Sequence, residues 1–157
     1  MKNLFCVKGR VIVITGATGI LGRAMVRHFA EEGAHVVILG RNQEVGGALE
    51  AEMVKAGYSA IFLTTNVLDK SELEENYSQI MEKFGRVDVL INAAGGNMPG
   101  ATIAPDKTLF DLNTEAVRQV VDLNLFGTVL PTLVFAKAMV GQKQSSIINI
   151  AAEAGLR

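Results

Sequence analysis

Short runs of β-branched and aliphatic residues alternate along the chain with longer stretches in which apolar residues recur at helical spacing. The apolar runs fall at 10–15, 35–39, 59–63, 87–91 and 146–150, and the amphipathic stretches at 19–32, 43–56, 71–84 and 114–140. The first run, at 10–15, is typical of a strand that is buried on both faces of a parallel sheet. The last run, at 146–150, is expected to lie at an exposed edge of the sheet. Because strands and helices alternate, we expect right-handed crossovers and a doubly wound α/β domain over 1–157 with strand order 3-2-1-4-5.

Two of the predicted helices carry residues that bear on their packing. In the first helix, Met25, Phe29 and Ala30 form an apolar stripe that we expect to face the sheet. The second helix contains Gly46 and Gly47, which lower the helix propensity of that segment and are expected to weaken it.

The fourth predicted helix, 114–140, is the most hydrophobic part of the chain. Gly127 and Pro131 are expected to bend it, because both residues disturb a regular helix. Asp122 and Asn124 interrupt the apolar run, so we interpret the segment as a buried helix and not as a membrane span. Since the helix is apolar around much of its circumference, one face is predicted to cover the sheet and the other to need a partner.

Composition excludes several classes of function. The chain of 157 residues has a formal net charge of −1, which gives no electrostatic footprint for nucleic acid or an anionic membrane. Cys6 is the only cysteine, so no intramolecular disulfide is possible and a reducing, cytoplasmic setting is favoured. His28 and His35 have no cysteine, histidine or carboxylate neighbours at ligand spacing, so no metal site is expected.

The segment VIVITGATGILG, residues 11–22, combines a predicted strand, a turn with glycines at 16, 19 and 22, and a helix start. This arrangement is typical of the Rossmann fold, in which a dinucleotide pyrophosphate lies against the turn. Glycines let the backbone turn sharply and let phosphate oxygens approach, since no Cβ is in the way. The free N–H groups at the start of the following helix then favour the negative charge.

Four segments together resemble the short-chain dehydrogenase/reductase (SDR) family. They are TGATGILG at 15–22, the pair Asn66-Val67, INAAG at 91–95 and DLNLFGT at 122–128. The loop after INAAG and the FDLN segment at 110–113 are similar to the D-mannonate oxidoreductase (fructuronate reductase) branch of that family. The resemblance implies an NAD(P)-dependent oxidoreductase that moves a hydride to or from a carbonyl or alcohol, with a sugar acid such as fructuronate or mannonate as a candidate substrate.

The resemblance also implies which residues contact the cofactor pyrophosphate. They are Gly16, Thr18, Gly19, Ile20 and Leu21. The commoner family spacing is TGxxxGxG, and here the middle glycine comes one place earlier, at Gly19. A purely structural glycine turn is the alternative interpretation.

The adenosine end is assigned in the same way. Asn66 and Val67 stand where the family commonly has Asp-Val against the adenine, and the asparagine side chain can accept a hydrogen bond from the adenine amino group. The segment that resembles the family's NNAG motif, where small residues let the backbone approach the ribose, is Asn92, Ala93, Ala94 and Gly95. Two alternatives stay open: Asn66 as a simple turn asparagine, and the small residues as a means of close packing.

The end of the second strand bears on the choice between NAD and NADP. NAD-specific sites usually place a carboxylate there for the ribose 2′-hydroxyl, whereas this chain has Gly40, Arg41 and Asn42. No acid would repel a 2′-phosphate, and a guanidinium can hold one through paired hydrogen bonds. We therefore favour NADP, with NAD as the alternative.

Of the catalytic groups that the resemblance implies, the chain carries one. Asn124 matches the asparagine of the family's proton relay, but the serine position is Ala152, whose methyl group makes no hydrogen bond. The family's Tyr-x-x-x-Lys pair is absent, and neither Tyr58 nor Tyr77 has a lysine four residues later. The lysine matters because an unperturbed tyrosine has a pKa near 10. This chain alone is therefore expected not to catalyse hydride transfer.

Three interpretations follow for the chain. We favour the N-terminal, cofactor-binding part of a longer reductase, truncated after the fifth strand. The alternatives are a catalytically inactive dinucleotide-binding module and a structural or regulatory subunit. A small-molecule substrate and a homo-oligomer formed through the fourth helix are the expected partners.

Overall fold

Five parallel strands form one sheet in the computed structural model, which describes residues 6–151. They are β1 (Val11–Thr15), β2 (His35–Gly40), β3 (Ser59–Thr64), β4 (Val89–Asn92) and β5 (Ser146–Asn149). The strand order is β3-β2-β1-β4-β5, which confirms the predicted α/β doubly wound sheet. In the register of the central strand, Val13 is paired with Val37 on one side and Leu90 on the other.

Helices connect the strands in the predicted alternation. They are α1 (Ile20–Glu31), α2 (Gln43–Lys55), α3 (Lys70–Phe84), α4 (Thr114–Val121) and α5 (Gly127–Phe135). Asparagine or aspartate side chains cap three of these helices: Asn42 caps α2, Asp69 caps α3 and Asn113 caps α4. Each accepts hydrogen bonds from N–H groups that the first helical turn leaves without a partner.

The core lies in two layers, one on each face of the sheet. On β1, Val11 and Val13 belong to the layer formed with α3 and α5, whereas Ile12 and Ile14 belong to the layer formed with α1 and α2. All four side chains are at most 2% exposed. Because alternate residues of a strand point to opposite faces, this confirms that the apolar run of β1 is buried on both sides. The residues of β5, Ser146–Asn149, are exposed.

The inner stripe of α1 is displaced from the predicted one. Gly22, Val26 and Ala30 are the buried residues of this helix, and Met25 and Phe29 are only partly buried at its flank. The displacement follows from Gly22, which lies so close to the preceding turn that a Cβ there would be 2.4 Å from the Gly16 carbonyl oxygen. This contact fixes which side of α1 faces the sheet.

The fourth predicted helix is one helical segment, Thr114–Ala138, with a π-helical turn at Asp122–Phe126 between α4 and α5. The irregular turn thus begins before Gly127 and Pro131, where bends were expected. The prediction that this helix is buried is wrong. In its most apolar window 22% of the residues are buried, because only the inner side, with Val134 and Phe135, reaches the core. Its length and mean hydropathy of 1.4 meet the criterion for a membrane span, which core helices of soluble proteins also meet.

A buried carboxylate joins the strands at the amino end of the sheet. Asp88 is fully buried and accepts a hydrogen bond of 2.9 Å from the backbone N–H of Val11. Arg86 donates to the same carboxylate, and Arg10 bridges it to the backbone oxygen of Gln144. Buried charges require such partners. The polar contacts at this end are structural, and the opposite end of the sheet is left for a ligand.

Candidate cofactor-binding site

A cavity of about 750 Å³ lies beyond the carboxyl ends of the central strands. It is lined by Gly16, Thr18, Gly19, Gly40, Arg41, Asn42, Thr65, Asn66, Val67, Leu68, Ala93, Ala94, Gly95 and Leu123. The chain runs from β1 to β2 and β3 on one side and then crosses back from β3 to β4 on the other side of β1. The cavity therefore lies at the topological switch point. Ligands of open α/β sheets bind at that point.

The glycine turn forms one wall of the cavity. Gly16 has φ +64°, and a Cβ on it would lie 2.6 Å from the carbonyl oxygen of Ala93. Gly19 is the N-cap residue of α1 and has no side chain to occupy the free N–H groups of the first turn. Ile20 and Leu21 lie beyond the cavity wall, and the Ile20 side chain is 92% exposed. Among the residues predicted for pyrophosphate, Gly16, Thr18 and Gly19 are therefore brought together in the wall.

A threonine holds the second wall against the first. The hydroxyl oxygen of Thr15, which is fully buried, accepts hydrogen bonds from the backbone N–H groups of Ala93 at 3.1 Å and Ala94 at 3.2 Å. These bonds fix the small-residue loop after β4 directly beside the glycine turn. The sequence pattern does not single out Thr15, because it reads as the last residue of an apolar strand.

Asn92 is oriented away from the cavity. Asn92 is 2% exposed. Its side-chain amide nitrogen donates to Thr132 Oγ1 at 3.0 Å and to Asn149 Oδ1 at 2.9 Å. These contacts join β4 to α5 and β5. Asn92 thus supports the loop Ala93–Gly95 from behind, whereas the loop itself lines the cavity.

A turn after β3 forms the wall at the other end of the cavity. Asn66 makes an Asx turn, in which its Oδ1 accepts a hydrogen bond of 3.1 Å from the backbone N–H of Leu68. The turn-asparagine alternative is therefore realised, and the oxygen keeps a second lone pair for a ligand. Val67 is buried and lies against Gly127, where a Cβ would be 3.0 Å from its methyl group.

The segment after β2 lies at the rim beside Thr18. A Cβ on Gly40 would be 2.8 Å from the Thr18 methyl group. The absence of a side chain at Gly40 therefore lets the turn that contains Thr18 pass close to β2. Arg41 is exposed, and within residues 6–151 no acidic side chain forms an ion pair with it. The Oδ1 of Asn42 caps α2 by accepting from Val45 N at 3.0 Å. Asn42 is also one of the residues that line the cavity.

Asn124 lies in the π-helical turn, at the edge of the cavity. Its amide nitrogen donates to the carbonyl oxygens of Gly96 at 2.7 Å and Val120 at 2.8 Å, and its Oδ1 accepts from Gly96 N at 3.2 Å. The side chain therefore binds the backbone of the loop after β4. The adjacent Leu123 lines the cavity, whereas Asn124 does not.

Comparison with known proteins assigns the chain to a family. Residues 10–157 match the family model of short chain dehydrogenases. The chain belongs to the short-chain dehydrogenase family.

Several relatives of this chain are described as oxidoreductases. An uncharacterised oxidoreductase of Haemophilus influenzae is 37% identical, with 91% of this chain and 54% of the relative covered. An uncharacterised oxidoreductase UxuB of Bacillus subtilis is 36% identical, with 90% and 54% covered. A crystal structure of a proposed D-mannonate oxidoreductase from Haemophilus influenzae with bound NAD matches with a TM-score of 0.86 at 35% identity, covering 92% of this chain and 55% of that chain. The chain spans about half the length of the curated relatives that it matches.

Most residues of the loop from β4 to α4 are exposed. It contains two short 3-10 turns, Pro99–Ala101 and Leu109–Asp111. Hydrogen bonds from the backbone and the hydroxyl of Thr108 stabilise the ionised form of the Asp111 carboxyl and lower its pKa. Phe110, in the second of these turns, is 95% exposed. Ala152, at the family's serine position, lies outside the described residues.

Proposed function

We propose that the protein is an NAD(P)-dependent oxidoreductase and that this chain supplies its cofactor-binding part. The observation that carries the proposal is the cavity. Its lining includes the glycine turn after β1, the small-residue loop after β4 and the turn after β3. Membership of the short-chain dehydrogenase family supports the same function.

The walls match the chemistry of a dinucleotide from one end to the other. Gly16, Thr18 and Gly19, at the start of α1, would hold the pyrophosphate, since a helix N-terminus attracts negative charge and the glycines let phosphate oxygens approach. Ala93, Ala94 and Gly95 would lie against the ribose. Ile20 and Leu21, whose side chains lie beyond the cavity wall, would contact the phosphate through the N–H groups of the first helical turn. Asn66 and Val67 would contact the adenine.

We favour NADP as the cofactor, with Arg41 and Asn42 at the 2′-phosphate. Arg41 carries a guanidinium at the cavity rim, and Gly40 stands where NAD-specific sites have an acid. The alternative, NAD, is supported by the related structure that contains NAD.

Replacement of Arg41 tests the cofactor choice. In Arg41→Ala, we expect NADPH to bind about tenfold more weakly and NADH affinity to stay unchanged, because only NADPH has a phosphate for the guanidinium. Calorimetric titration of both dinucleotides measures this. Arg118→Ala is the matched control, since it removes an exposed guanidinium on α4, away from the cavity. An NADPH affinity that is unchanged in Arg41→Ala would contradict the choice of NADP.

The proposed reaction is hydride transfer between the nicotinamide and a carbonyl or alcohol carbon of a small molecule. A sugar acid such as fructuronate or mannonate is the candidate substrate, and the D-mannonate oxidoreductase relative supports it. Asn124 is the one catalytic residue proposed in this chain, as a member of a proton relay. A catalytically inactive dinucleotide-binding module or a regulatory subunit is the alternative. Turnover of NADPH with a carbonyl substrate by a longer protein that contains this chain would distinguish the enzyme from both. The chain of 157 residues alone is expected to show no turnover.

We also propose a cellular location and an oligomeric state for the protein. A cytoplasmic location agrees with the single cysteine, Cys6, because a chain with one cysteine forms no intramolecular disulfide and needs no oxidising environment. A homo-oligomer is proposed to form through the outer side of α4, the π-helical turn and α5, where apolar side chains lie in solvent.

A further inference from the structure

The turn after β3 is held by polar side chains from the helix that follows it. Asp69, Glu72 and Asn76 are spaced by three and four residues, so they share one side of the first turns of α3. Asp69 caps the helix by accepting hydrogen bonds from two of its N–H groups. Asn76 is 4% exposed and donates to the Thr64 carbonyl oxygen at 3.0 Å and to Thr65 Oγ1 at 2.9 Å.

Glu72 makes a contact that ordinary helix capping does not explain. In a capping box, the glutamate three residues after the N-cap accepts a hydrogen bond from the N-cap backbone N–H. Here the N–H of Asp69 donates instead to the Asn66 carbonyl oxygen at 2.9 Å. The Glu72 carboxylate reaches three residues further back and accepts from Asn66 N at 2.8 Å. The helix therefore holds the cavity-lining residue Asn66 directly.

We infer that Glu72 is a positioning residue for the adenine end of the cofactor, because its carboxylate fixes the backbone of Asn66 at the cavity wall. This inference rests on the proposed dinucleotide function of the cavity. With its backbone held, Asn66 presents an amide whose oxygen accepts and whose nitrogen donates, and an adenine edge offers an amino donor beside a ring-nitrogen acceptor. Affinity gains from such fixing, because the ordering cost is met before the ligand binds.

A cycle of protein and ligand changes tests the role of Glu72. The variant is Glu72→Ala, and the ligand pair is NADPH and its hypoxanthine analogue, which carries an oxygen in place of the adenine amino group. For the unsubstituted chain we expect the analogue to bind about tenfold more weakly than NADPH, as expected for a lost hydrogen bond. In Glu72→Ala we expect NADPH to weaken to nearly the affinity of the analogue, so that the ratio falls below about threefold.

Two further variants separate positioning from a general loss of structure. Glu72→Gln keeps an oxygen that can accept from Asn66 N, and it is expected to restore most of the ratio. Glu75→Ala removes another carboxylate of α3, one that makes no hydrogen bond or ion pair among the described residues, and it should leave the ratio unchanged. Hydrogen exchange without ligand adds a direct readout, since the Asn66 amide should lose protection in Glu72→Ala and keep it in Glu75→Ala.

The possible failures are distinguishable. If the unsubstituted chain binds neither dinucleotide, the proposed function falls and the inference falls with it. If it binds both and Glu72→Ala weakens them by the same factor, or by none, the cavity binds a dinucleotide and the inference about Glu72 alone is wrong. Unchanged exchange of the Asn66 amide in Glu72→Ala would also overturn it.

Discussion

Thr15 links the two walls of the cavity through one hydroxyl group. It is the last residue of β1, and it accepts hydrogen bonds from two backbone N–H groups of the neighbouring loop after β4. Buried donors that lose their acceptor retain the cost of leaving water. The position of the loop Ala93–Gly95 relative to the glycine turn therefore depends on this side chain.

Replacement of Thr15 should separate the hydroxyl from the shape of the side chain. Thr15→Val keeps the volume and removes the acceptor, so we expect the free energy of unfolding to fall by about 1–3 kcal/mol. Thr15→Ser keeps the hydroxyl and should lose less. Urea denaturation with both variants measures the difference. Equal stability of Thr15→Val and the unsubstituted chain would show that the two hydrogen bonds contribute nothing.

At the residue scale, sequence reasoning succeeds where the determinant is local. The glycine turn at 16–19 is predicted, because backbone conformation and close approach both require residues without a Cβ. The orientations of Asn92 and Asn66 are not predictable in the same way. Asn92 is turned inward by Thr132, which is 40 residues away, and Asn66 is held by Glu72 on the next helix. Such partners become neighbours only in the folded chain.

At the element scale, α2 shows two adjacent glycines with opposite effects. A Cβ on Gly46 would lie 2.0 Å from the ring of Phe62 on β3, whereas a Cβ on Gly47 would meet no atom within 4 Å. Gly46 is therefore required where the helix packs on the edge strand. Both glycines were expected to weaken the helix, and at Gly47, where a Cβ would meet no atom, that expectation stays a prediction. Composition does not reveal this difference, because it depends on which side of the helix faces β3.

Alanine at these two positions gives a matched pair. Gly47→Ala is expected to raise the free energy of unfolding by about 0.5–1 kcal/mol, since alanine is the better helix former and the site is open. Gly46→Ala is expected to lower it by about 1–3 kcal/mol, because the ring of Phe62 must move. Thermal or urea denaturation measures both. The same sign for the two variants would contradict the packing described for α2.

The sequence predicts the position of the long fourth helix but not its π-helical turn. Its apolar composition predicts a helix against the sheet, and Val134 and Phe135 do reach the core. The π-helical turn at Asp122–Phe126 is not visible in the local pattern, since the same residues fit a regular helix. In the fold this turn brings Asn124 to the backbone of Gly96. Tertiary contacts of this kind override local periodicity.

At the scale of the whole molecule, the outer side of the fourth helix presents apolar side chains to solvent. Val121, Leu125 and Leu133 on the outer side of the fourth helix are 46%, 53% and 58% exposed. Contiguous surfaces of this kind usually mark an interaction site. The proposed homo-oligomer would bury it, and a two-fold axis would bring the same side chains of two copies together.

A charge placed in this surface tests the oligomer. Light scattering at increasing concentration should give a mass above 16.8 kDa for the unsubstituted chain and a lower mass for Leu133→Glu, because a buried unpaired carboxylate is costly. Val54→Glu is the control, since Val54 is 55% exposed on α2, on the other side of the sheet. A monomer at every concentration, or equal effects of the two substitutions, would count against association through this helix.

We propose that the cavity at the carboxyl ends of the strands binds an adenine dinucleotide. Amide resonances of the ¹⁵N-labelled chain, followed while NADPH is added, test it most directly. We expect shifts at Gly16, Gly19, Asn66 and Ala94 that saturate together, with the resonance of Lys83 on α3 unchanged. An absence of shifts at saturating NADPH, or shifts confined to residues outside the cavity, would contradict it.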